Sequence, residues 1–399
     1  MSEPIRNMSL AAIAQALRDG SLSAVELTQN CIDAREASLN AYREWTPELA
    51  LEQARTADAA FANAQDSGVL QGIPISVKDL YGVNGTQTFA GSPAPMPPPW
   101  QAEGDLISGL RAQHAVFSGK THTVEFAFGG LGVNSHWGTP RNPWDANTHR
   151  APGGSSSGAG VSLCEGTALV ALGSDTAGSV RIPASVTGNV GLKTSYGRWP
   201  VSGIFPLSPT LDTAGILTRS VADTVTAFSA IDPHQRSYGP RLAREIARCT
   251  PADFVLGTGE SALWDDCDPG ISETVDEALK TLGQAGVQTV SAALPEAVPA
   301  IELLKVGSVV AAEIDEMLSS TAPQWRETLD PVVSSRIRDG GSISASEYLH
   351  RRRRLRELSR SATERFSSCQ VMVSPTVAVA PPAVEDVQTV EAYRPKNMG

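Results

Sequence analysis

The stretch that decides the fold is Ala151–Pro200, which reads APGGSSSGAGVSLCEGTALVALGSDTAGSVRIPASVTGNVGLKTSYGRWP. Its glycines, serines and alanines are concentrated enough to let two backbone segments, or backbone and a ligand, come close together. Two polar segments, Gly153–Gly158 and Ser174–Ser179, are separated by small residues and by the apolar run Ala168–Leu172. The pattern predicts a loop, a helix, a buried strand and a second loop, with both loops at one end of a sheet.

The first polar segment also fits the pattern of a nucleophile elbow. Gly154–Gly158 reads G-x-S-x-G, which would make Ser156 the nucleophile of an α/β-hydrolase. That motif needs a strand that runs directly into the turn. The preceding residues, Asn147–Pro152, contain no apolar run and end in a proline, so the sequence argues against an elbow.

Three blocks of the sequence, taken together, point to a known family. Gly153–Gly158 and Gly173–Ala184 resemble the two serine-containing blocks of the amidase signature family, at the separation that the family shows. Upstream, Gly72–Asp79 (GIPISVKD) resembles the family's lysine-bearing strand. The similarity continues through Leu211–Thr213 and covers most of residues 68–223.

This resemblance implies a serine hydrolase that uses a lysine as its base. Ser179 is then the nucleophile, Ser155 the serine that relays the proton and stands on a cis peptide bond, and Lys78 the terminal base. A lysine accepts a proton only when its amine is neutral, and burial lowers the pKa of an amine far enough to allow this. The mostly apolar stretch Ile73–Val77 is typical of a buried strand, so Lys78 is expected to be desolvated. No metal ion and no cofactor are implied.

The residues around the second serine block are expected to stabilise and support the reaction. The predicted oxyanion hole consists of the backbone N–H groups of Thr176, Ala177, Gly178 and Ser179. Small side chains there leave the N–H groups able to face a substrate carbonyl. Three further side chains are expected to hold the reacting groups in position without contacting the substrate, and these are Ser156, Asp175 and Arg181. Asp175 and Arg181 flank the nucleophile, so we expect them to pair with each other or to hold the loop.

The residues between the lysine strand and the first serine block supply the candidate substrate contacts, which are His122, Phe128 and Asn134. His122 stands where relatives usually carry asparagine near the active site. It therefore contacts the substrate or satisfies a buried hydrogen bond. Phe128 and Asn134 lie in the glycine- and aromatic-rich stretch Phe126–Asn142, which the resemblance places at one wall of the pocket. Packing inside the fold is the alternative for both.

The predicted fold class is α/β, with a mixed β-sheet core covered by helices on both faces, as the resemblance implies. We expect one domain, 1–399, made of N-terminal helices (1–67), a catalytic core (68–223) and a variable region with the C-terminal part (224–399). Serine caps predict the first two helices, after Ser9 and after Ser23. Typical members continue for some tens of residues beyond the point that corresponds to Gly399. We therefore expect part of the pocket wall and sheet to be missing or supplied by a partner.

The region after the core predicts further regular structure without a chemical motif. Phe254–Gly257, Ile271–Leu282 and Val287–Val290 are typical of a strand, a helix and a strand. A long helix is expected from about residue 346 to 366, and it carries Arg351–Arg354. That cluster fits an anion-binding surface, but its interleaved glutamates favour a solvated helix face.

The composition indicates a globular protein, since 41% of its 399 residues are hydrophobic. The net charge of −11 argues against nucleic acid or an anionic membrane as a partner. The five cysteines lack the spacing of a metal site, so we expect reduced thiols in a cytoplasmic protein. No signal peptide or membrane-spanning run is expected. The sequence leaves the oligomeric state open, a homo-oligomer included.

Together these features predict an amidohydrolase that cleaves a carboxamide or related C–N bond through an acyl-enzyme at Ser179 and releases ammonia or an amine. Its expected partner is a small-molecule amide of undecided class. Two alternatives stay open. One is the glutaminase-type subunit of a tRNA-dependent amidotransferase, which the family also contains. The other is a non-catalytic member that keeps the three residues but lacks a complete pocket.

Overall fold

The structure is a computed structural model that describes residues 5–235, 241–259, 263–305 and 308–398. The chain divides into two compact units. The first contains Met1–Arg244, Glu327–Asp330 and Ala383–Glu385, and the second contains Glu245–Arg326, Pro331–Pro382 and Asp386–Gly399. The single-domain organisation stays a prediction.

The first unit contains a mixed sheet of six strands. These are β1 (Tyr42–Trp45), β2 (Pro74–Lys78), β3 (Val116–Thr121), β4 (Val170–Asp175), β5 (Val190–Lys193) and β6 (Thr213–Thr218). Their order in the sheet is β1-β3-β2-β4-β6-β5, and β2 lies parallel to both β3 and β4. Every residue of β2, β3, β4 and β6 is buried, which requires that both faces of the sheet be covered. The predicted fold class is confirmed.

The helices of the first unit follow the signals at their ends. They are α1 (Leu10–Asp19), α2 (Ala24–Asp33), α3 (Pro47–Ala62), α4 (Asp105–Arg111), α5 (Ser157–Glu165), α6 (Arg181–Val186) and α7 (Val221–Ile231), and α8 (Arg241–Ile246) contains the boundary between the units. The Ser9 hydroxyl accepts a hydrogen bond from an N–H of the first turn of α1, and Ser23 forms a capping box with Glu26. Both predicted helix starts are confirmed.

The predicted loop, helix, strand and loop are present as α5 and β4 with their flanking segments. Gly158, in the first turn of α5, donates its N–H to the carbonyl oxygen of His122 at 3.0 Å. A Cβ atom at this position would overlap the carbonyl oxygen of Ala41. The small residue therefore lets α5 approach the ends of the strands, and it keeps the serines before α5 next to the sheet.

The second unit contains a parallel sheet of three strands in the order β8-β7-β9. The strands are β7 (Val255–Thr258), β8 (Gln288–Ser291) and β9 (Val371–Val373). The remaining helices are α9 (Ile271–Gln284), α10 (Ala297–Lys305), α11 (Val309–Thr321), α12 (Pro331–Gly340), α13 (Ala345–Arg365) and α14 (Val390–Met398). The predicted strand, helix and strand are confirmed as β7, α9 and β8.

The arginine cluster of α13 has glutamate partners on the same helix. Arg351 pairs with Glu347 at 2.6 Å, and Arg354 pairs with Glu357 at 3.2 Å. These pairs and the exposure of Arg353 and Arg354 support the interpretation as a solvated face. Across the described ranges, none of the helices combines the length and the apolar character needed to cross a membrane.

Replacing Gly158 should show how much the fold depends on this close approach. We expect Gly158→Ala to lower the free energy of unfolding by about 3 kcal/mol, because the methyl group has to displace backbone. Gly283→Ala is the matched control, since Gly283 lies in α9 and a Cβ there meets nothing within 4 Å. It should raise the free energy of unfolding by about 0.4–1 kcal/mol. Denaturant unfolding followed by circular dichroism measures both, and equal effects would contradict the packing role of Gly158.

Candidate active site

Lys78 is the last residue of β2, and its side chain is completely buried. Its Nζ atom lies 2.7 Å from the Oγ of Ser155. The same atom lies 2.9 Å from the Oγ of Ser174 and 3.5 Å from the carbonyl oxygen of Ser174. All three partners are hydroxyl or carbonyl groups, so the described residues solvate the amine with neutral oxygens and bring no carboxylate into direct contact with it.

The environment of Lys78 favours its neutral form. Burial lowers the pKa of the Lys78 amine to about 7, although the nearby carboxylates of Asp175 and Asp212 act in the opposite direction. A large fraction of the amine is therefore neutral near pH 7, which is the state in which it can accept a proton. The predicted desolvation of Lys78 is confirmed.

Ser155 stands on a cis peptide bond with Gly154, as the sequence resemblance implied. Its side chain is fully buried, and its carbonyl oxygen accepts hydrogen bonds from the N–H groups of Val124 at 3.1 Å and Ser157 at 2.8 Å. These two bonds fix the backbone of Ser155 from both sides. Its hydroxyl is thereby held against the amine of Lys78.

Ser179 lies in the loop between β4 and α6, and it is 8% exposed. Its carbonyl oxygen accepts a hydrogen bond from the N–H of Ser156 at 3.2 Å. Since Ser156 follows Ser155 directly, this bond joins the two serine segments. The predicted meeting of the two loops is confirmed, and it occurs where β2 and β4 end.

The three consecutive serines at the start of α5 have different partners. Only the hydroxyl of Ser155 contacts Lys78, whereas the hydroxyl of Ser156 donates to the carbonyl oxygen of Ser174 at 3.4 Å. The Ser157 hydroxyl is buried and makes no hydrogen bond among the described residues. Of the three side chains, only that of Ser155 lies within hydrogen-bonding distance of a base, which argues further against Ser156 as a nucleophile.

Asp175 and Arg181 hold the loop that carries Ser179. The Arg181 guanidinium contacts the Asp175 carboxylate at 2.9 Å and 3.1 Å, so the predicted pairing is confirmed. The same carboxylate accepts from the N–H groups of Gly178 at 2.8 Å and Val180 at 3.0 Å. Burial would raise the pKa of Asp175, but the Arg181 hydrogen bonds and charge outweigh it and lower this pKa below its usual value. The Gly178 N–H, predicted as an oxyanion donor, is thus directed at Asp175.

Comparison with known proteins identifies the family. Residues 23–398 match the family model described as Amidase. The chain belongs to the amidase signature family. Members of this family hydrolyse C–N bonds, and this amidase is a hydrolase of that kind.

The relatives of this amidase include proteins with different reactions. It is 47% identical to a 2-amino-5-chloromuconic acid deaminase of Comamonas testosteroni, over 98% of this chain and 84% of the relative. It is 35% identical to one of the subunits of the glutamyl-tRNA(Gln) amidotransferase of Chloroflexus aggregans, over 72% of this chain and 60% of that protein. A solved amidase structure superposes with a TM-score of 0.86 at 26% identity, covering 98% of this chain and 89% of the other.

Sequence reasoning missed two residues beside the lysine of this amidase. Ser174 contacts the Lys78 amine through its hydroxyl, and it precedes Asp175 inside the second serine block. Asp212 accepts a hydrogen bond from the Thr176 hydroxyl at 2.5 Å, and burial raises its pKa. Both positions lay inside blocks that resemble the family, but nothing in the sequence indicated which side chains face Lys78.

The candidate substrate contacts are engaged with the protein. His122 lies 3.1 Å from the side-chain oxygen of Asn40, and burial lowers the pKa of its imidazole to about 3. The Asn134 amide donates to the carbonyl oxygens of Gly91 and Thr123 and accepts from two backbone N–H groups. Phe128 is buried. The bonds of His122 and Asn134 satisfy these buried groups without a ligand, so for them we favour the structural alternative.

An open cavity adjoins Ser174 on the side of Asp212. It encloses about 520 Å³, including space open to solvent. Its walls are mainly apolar and include Leu80, Ile204 and Phe205, while Ser174 and Asp212 supply polar atoms. In the described part of the chain, no group of three or more His, Cys, Asp and Glu side chains is arranged to hold a metal ion.

The neutral state of Lys78 can be tested through stability, without a substrate. Between pH 7 and its ordinary value of 10.5, the unfolded chain binds a proton at Lys78 that the folded chain does not. The free energy of unfolding should therefore rise with pH through this window by about 1.4 kcal/mol per unit more than in Lys78→Met, which cannot titrate. Urea unfolding of both proteins at pH 7, 8 and 9 measures the difference. Parallel curves would mean that Lys78 stays protonated in the fold.

Proposed function

We propose that this amidase releases ammonia from a small substrate by attack of the Ser179 hydroxyl on the carbon that carries the nitrogen. Ser155 relays protons and Lys78 is the base. The observation that carries this proposal is the 2.7 Å contact between the Lys78 amine and the Ser155 hydroxyl inside a fully buried site. A serine hydroxyl does not ionise near pH 7, so its attack requires a base of this kind.

The first half of the proposed reaction forms a bond between Ser179 and the substrate. The Ser179 oxygen attacks the carbonyl carbon while its proton passes to the Ser155 oxygen. At the same time the Ser155 proton passes to the Lys78 amine, which becomes an ammonium. The substrate oxygen gains a negative charge in this tetrahedral intermediate, so the step is favoured by donors aimed at that oxygen.

The second half returns the proton to the leaving nitrogen. The Lys78 ammonium donates through Ser155, the C–N bond breaks, and ammonia or an amine departs from an ester on Ser179. A water molecule then attacks the ester, and its proton passes through Ser155 to Lys78. When the ester bond breaks, Lys78 returns this proton through Ser155 to the Ser179 oxygen. The acid product leaves, and Ser179, Ser155 and Lys78 regain their starting protonation states.

We propose that backbone N–H groups of the Ser179 loop donate hydrogen bonds to the substrate oxyanion. The Gly178 N–H points to Asp175 in the resting enzyme. The N–H groups of Thr176, Ala177 and Ser179 are therefore the donors that we propose for the substrate oxygen. Asp175 and Arg181 would fix their directions by holding the loop at several points.

For the substrate we propose a small amino- or carboxamide-bearing acid, with the 2-aminomuconic type as the first choice. The support is the identity of 47% over 98% of this chain to a protein named for deaminating 2-amino-5-chloromuconic acid. In such a molecule the imine tautomer presents an electrophilic carbon. Attack by Ser179 on this carbon would give an adduct that carries both the serine oxygen and the amino group. Loss of ammonia, with a proton from the neighbouring carbon, would leave an enol ether in place of the acyl-enzyme. Water would then add to give a hemiketal, which breaks down to the keto acid and the free Ser179 hydroxyl.

The glutaminase alternative has weaker support. The amidotransferase relative shares 35% identity over 72% of this chain, and the chain spans about three fifths of that protein. The non-catalytic alternative is disfavoured by the buried contact of Lys78, because burying an amine is costly and offers a packing role little benefit. The five cysteines all lie in the described residues and form no disulfide bond there, and we propose a cytoplasmic location on that ground.

The proposal is tested by ammonia release from the purified chain alone. We expect turnover of a 2-aminomuconic acid or a simple carboxamide, and a loss of at least about 1,000-fold in Ser179→Ala with the fold intact. Ser157→Ala is the control from the same serine-rich site, since its hydroxyl makes no hydrogen bond among the described residues. Loss of activity in Ser156→Ala but not in Ser179→Ala would move the nucleophile. Release only from glutamine, and only with partner subunits, would favour the amidotransferase.

The pH dependence of kcat/KM should show the titration of Lys78. The base works when neutral, so we expect kcat/KM to rise with pH through about 7 and then to level off. Deprotonation of His136 would give a similar rise of kcat/KM with pH, because its hydrogen bond with Glu125 raises the pKa of its imidazole. His136→Gln should therefore keep the rise of kcat/KM with pH, whereas Lys78→Ala should abolish activity at every pH measured. A rise that disappears in His136→Gln would contradict the lysine assignment.

A further inference from the structure

We propose that Ser174 is a positioning residue that turns the lone pair of the Lys78 amine toward Ser155. Its hydroxyl and its carbonyl oxygen hold the two hydrogens of the neutral amine. This inference rests on the proposed function, because it concerns how the proposed base is oriented. In this role Ser174 acts through Lys78.

The hydrogen-bond count at the Lys78 amine carries the argument. A neutral amine has two hydrogens and one lone pair, and the structure gives Nζ three oxygen partners. A carbonyl oxygen can only accept, so the Ser174 carbonyl has to take one hydrogen. If Lys78 is to accept the proton of Ser155, its lone pair faces Ser155. The second hydrogen must then go to the Ser174 hydroxyl at 2.9 Å.

The alternative arrangement would block the base. A hydroxyl can donate as well as accept, and a Ser174 hydroxyl that donated to Nζ would occupy the lone pair. Ser174 also lines the open cavity beside Asp212. In the proposed arrangement, its hydroxyl hydrogen points to the side of this cavity. The hydrogen then points away from the Lys78 amine, and the Ser174 oxygen remains free to accept a hydrogen bond from it.

The backbone holds Ser174 firmly in this place. Ser174 is paired with Ala214 of β6, and β4 runs parallel to β2, which carries Lys78. The Tyr81 hydroxyl donates to the carbonyl oxygen of Gly173 at 2.7 Å, one residue earlier. Because the strand is fixed at this point, both oxygens of Ser174 are aimed at the amine before a substrate arrives.

The test compares Ser174→Thr with Ser174→Val, two side chains of nearly the same shape that differ in the hydroxyl. Both variants add the same methyl group at a residue that lines the cavity. We expect Ser174→Thr to keep kcat within about threefold of the native enzyme and Ser174→Val to lower kcat by about tenfold or more, with KM little changed. In Ser174→Val, the rise of kcat/KM with pH should also move to lower pH, because the ammonium form of Lys78 loses the Ser174 hydroxyl as an acceptor.

Each outcome decides the question. Two outcomes would overturn the role of the hydroxyl. One is that Ser174→Thr and Ser174→Val have the same kcat and the same pH dependence of kcat/KM as each other. The other is an equal decrease of kcat in both variants, which would show that only the size of the side chain matters. Ser174→Ala adds no atoms and repeats the comparison if Val does not fold. Lys78→Ala and Ser179→Ala are measured beside them. Activity in these two would overturn the proposed function itself, whereas their inactivity together with equal Thr and Val variants would overturn only the inference about Ser174.

Discussion

The burial of one amine among neutral oxygens is the constraint on which the site depends. Placing a lysine in a completely buried strand costs free energy, and the fold keeps this cost small by making the amine neutral and surrounding it with hydroxyl and carbonyl oxygens. The nearby Asp175 carboxylate favours the ammonium form, but burial outweighs it. Its carboxylate is bound by Arg181 and by two backbone N–H groups. The positive charge of Arg181 beside this carboxylate offsets part of the attraction between Asp175 and an ammonium at Lys78.

A second buried lysine in the same sheet shows what the opposite arrangement does. Lys120 of β3 is as completely buried as Lys78, but its Nζ lies 2.9 Å from the carboxylate of Asp79. Arg43 contacts the same carboxylate at 2.7 Å. Burial lowers the pKa of Lys120 too, while Asp79 opposes this shift through charge and a hydrogen bond. One lysine thus belongs to a structural cluster of charges, and the other is held by neutral oxygens and suited to proton transfer.

Local signals allowed most of this core to be predicted, because serine caps, glycine positions and apolar runs act over a few residues. The helix starts at Ser9 and Ser23 and the buried strand that ends at Lys78 are examples. The partners of side chains depend on how distant strands align, which no local pattern encodes. Asp79 follows Lys78 in sequence but pairs with Lys120, since neighbouring residues of an extended chain point to opposite sides. Ser174 escaped notice for the same reason.

The reacting groups that we propose for this site do not distinguish one C–N bond from another. In the roles that we propose, Lys78, Ser155 and Ser179 would move a proton and supply an oxygen whether the nitrogen leaves from a carboxamide or from an imine carbon. The residues around Ser179 are small, and those that hold its loop are bound to each other, so they offer a substrate little beyond backbone donors. Selection of the substrate therefore has to come from side chains farther out. The apolar wall beside Ser174 is one such surface, and changes there can alter the substrate while the base and its supports stay the same.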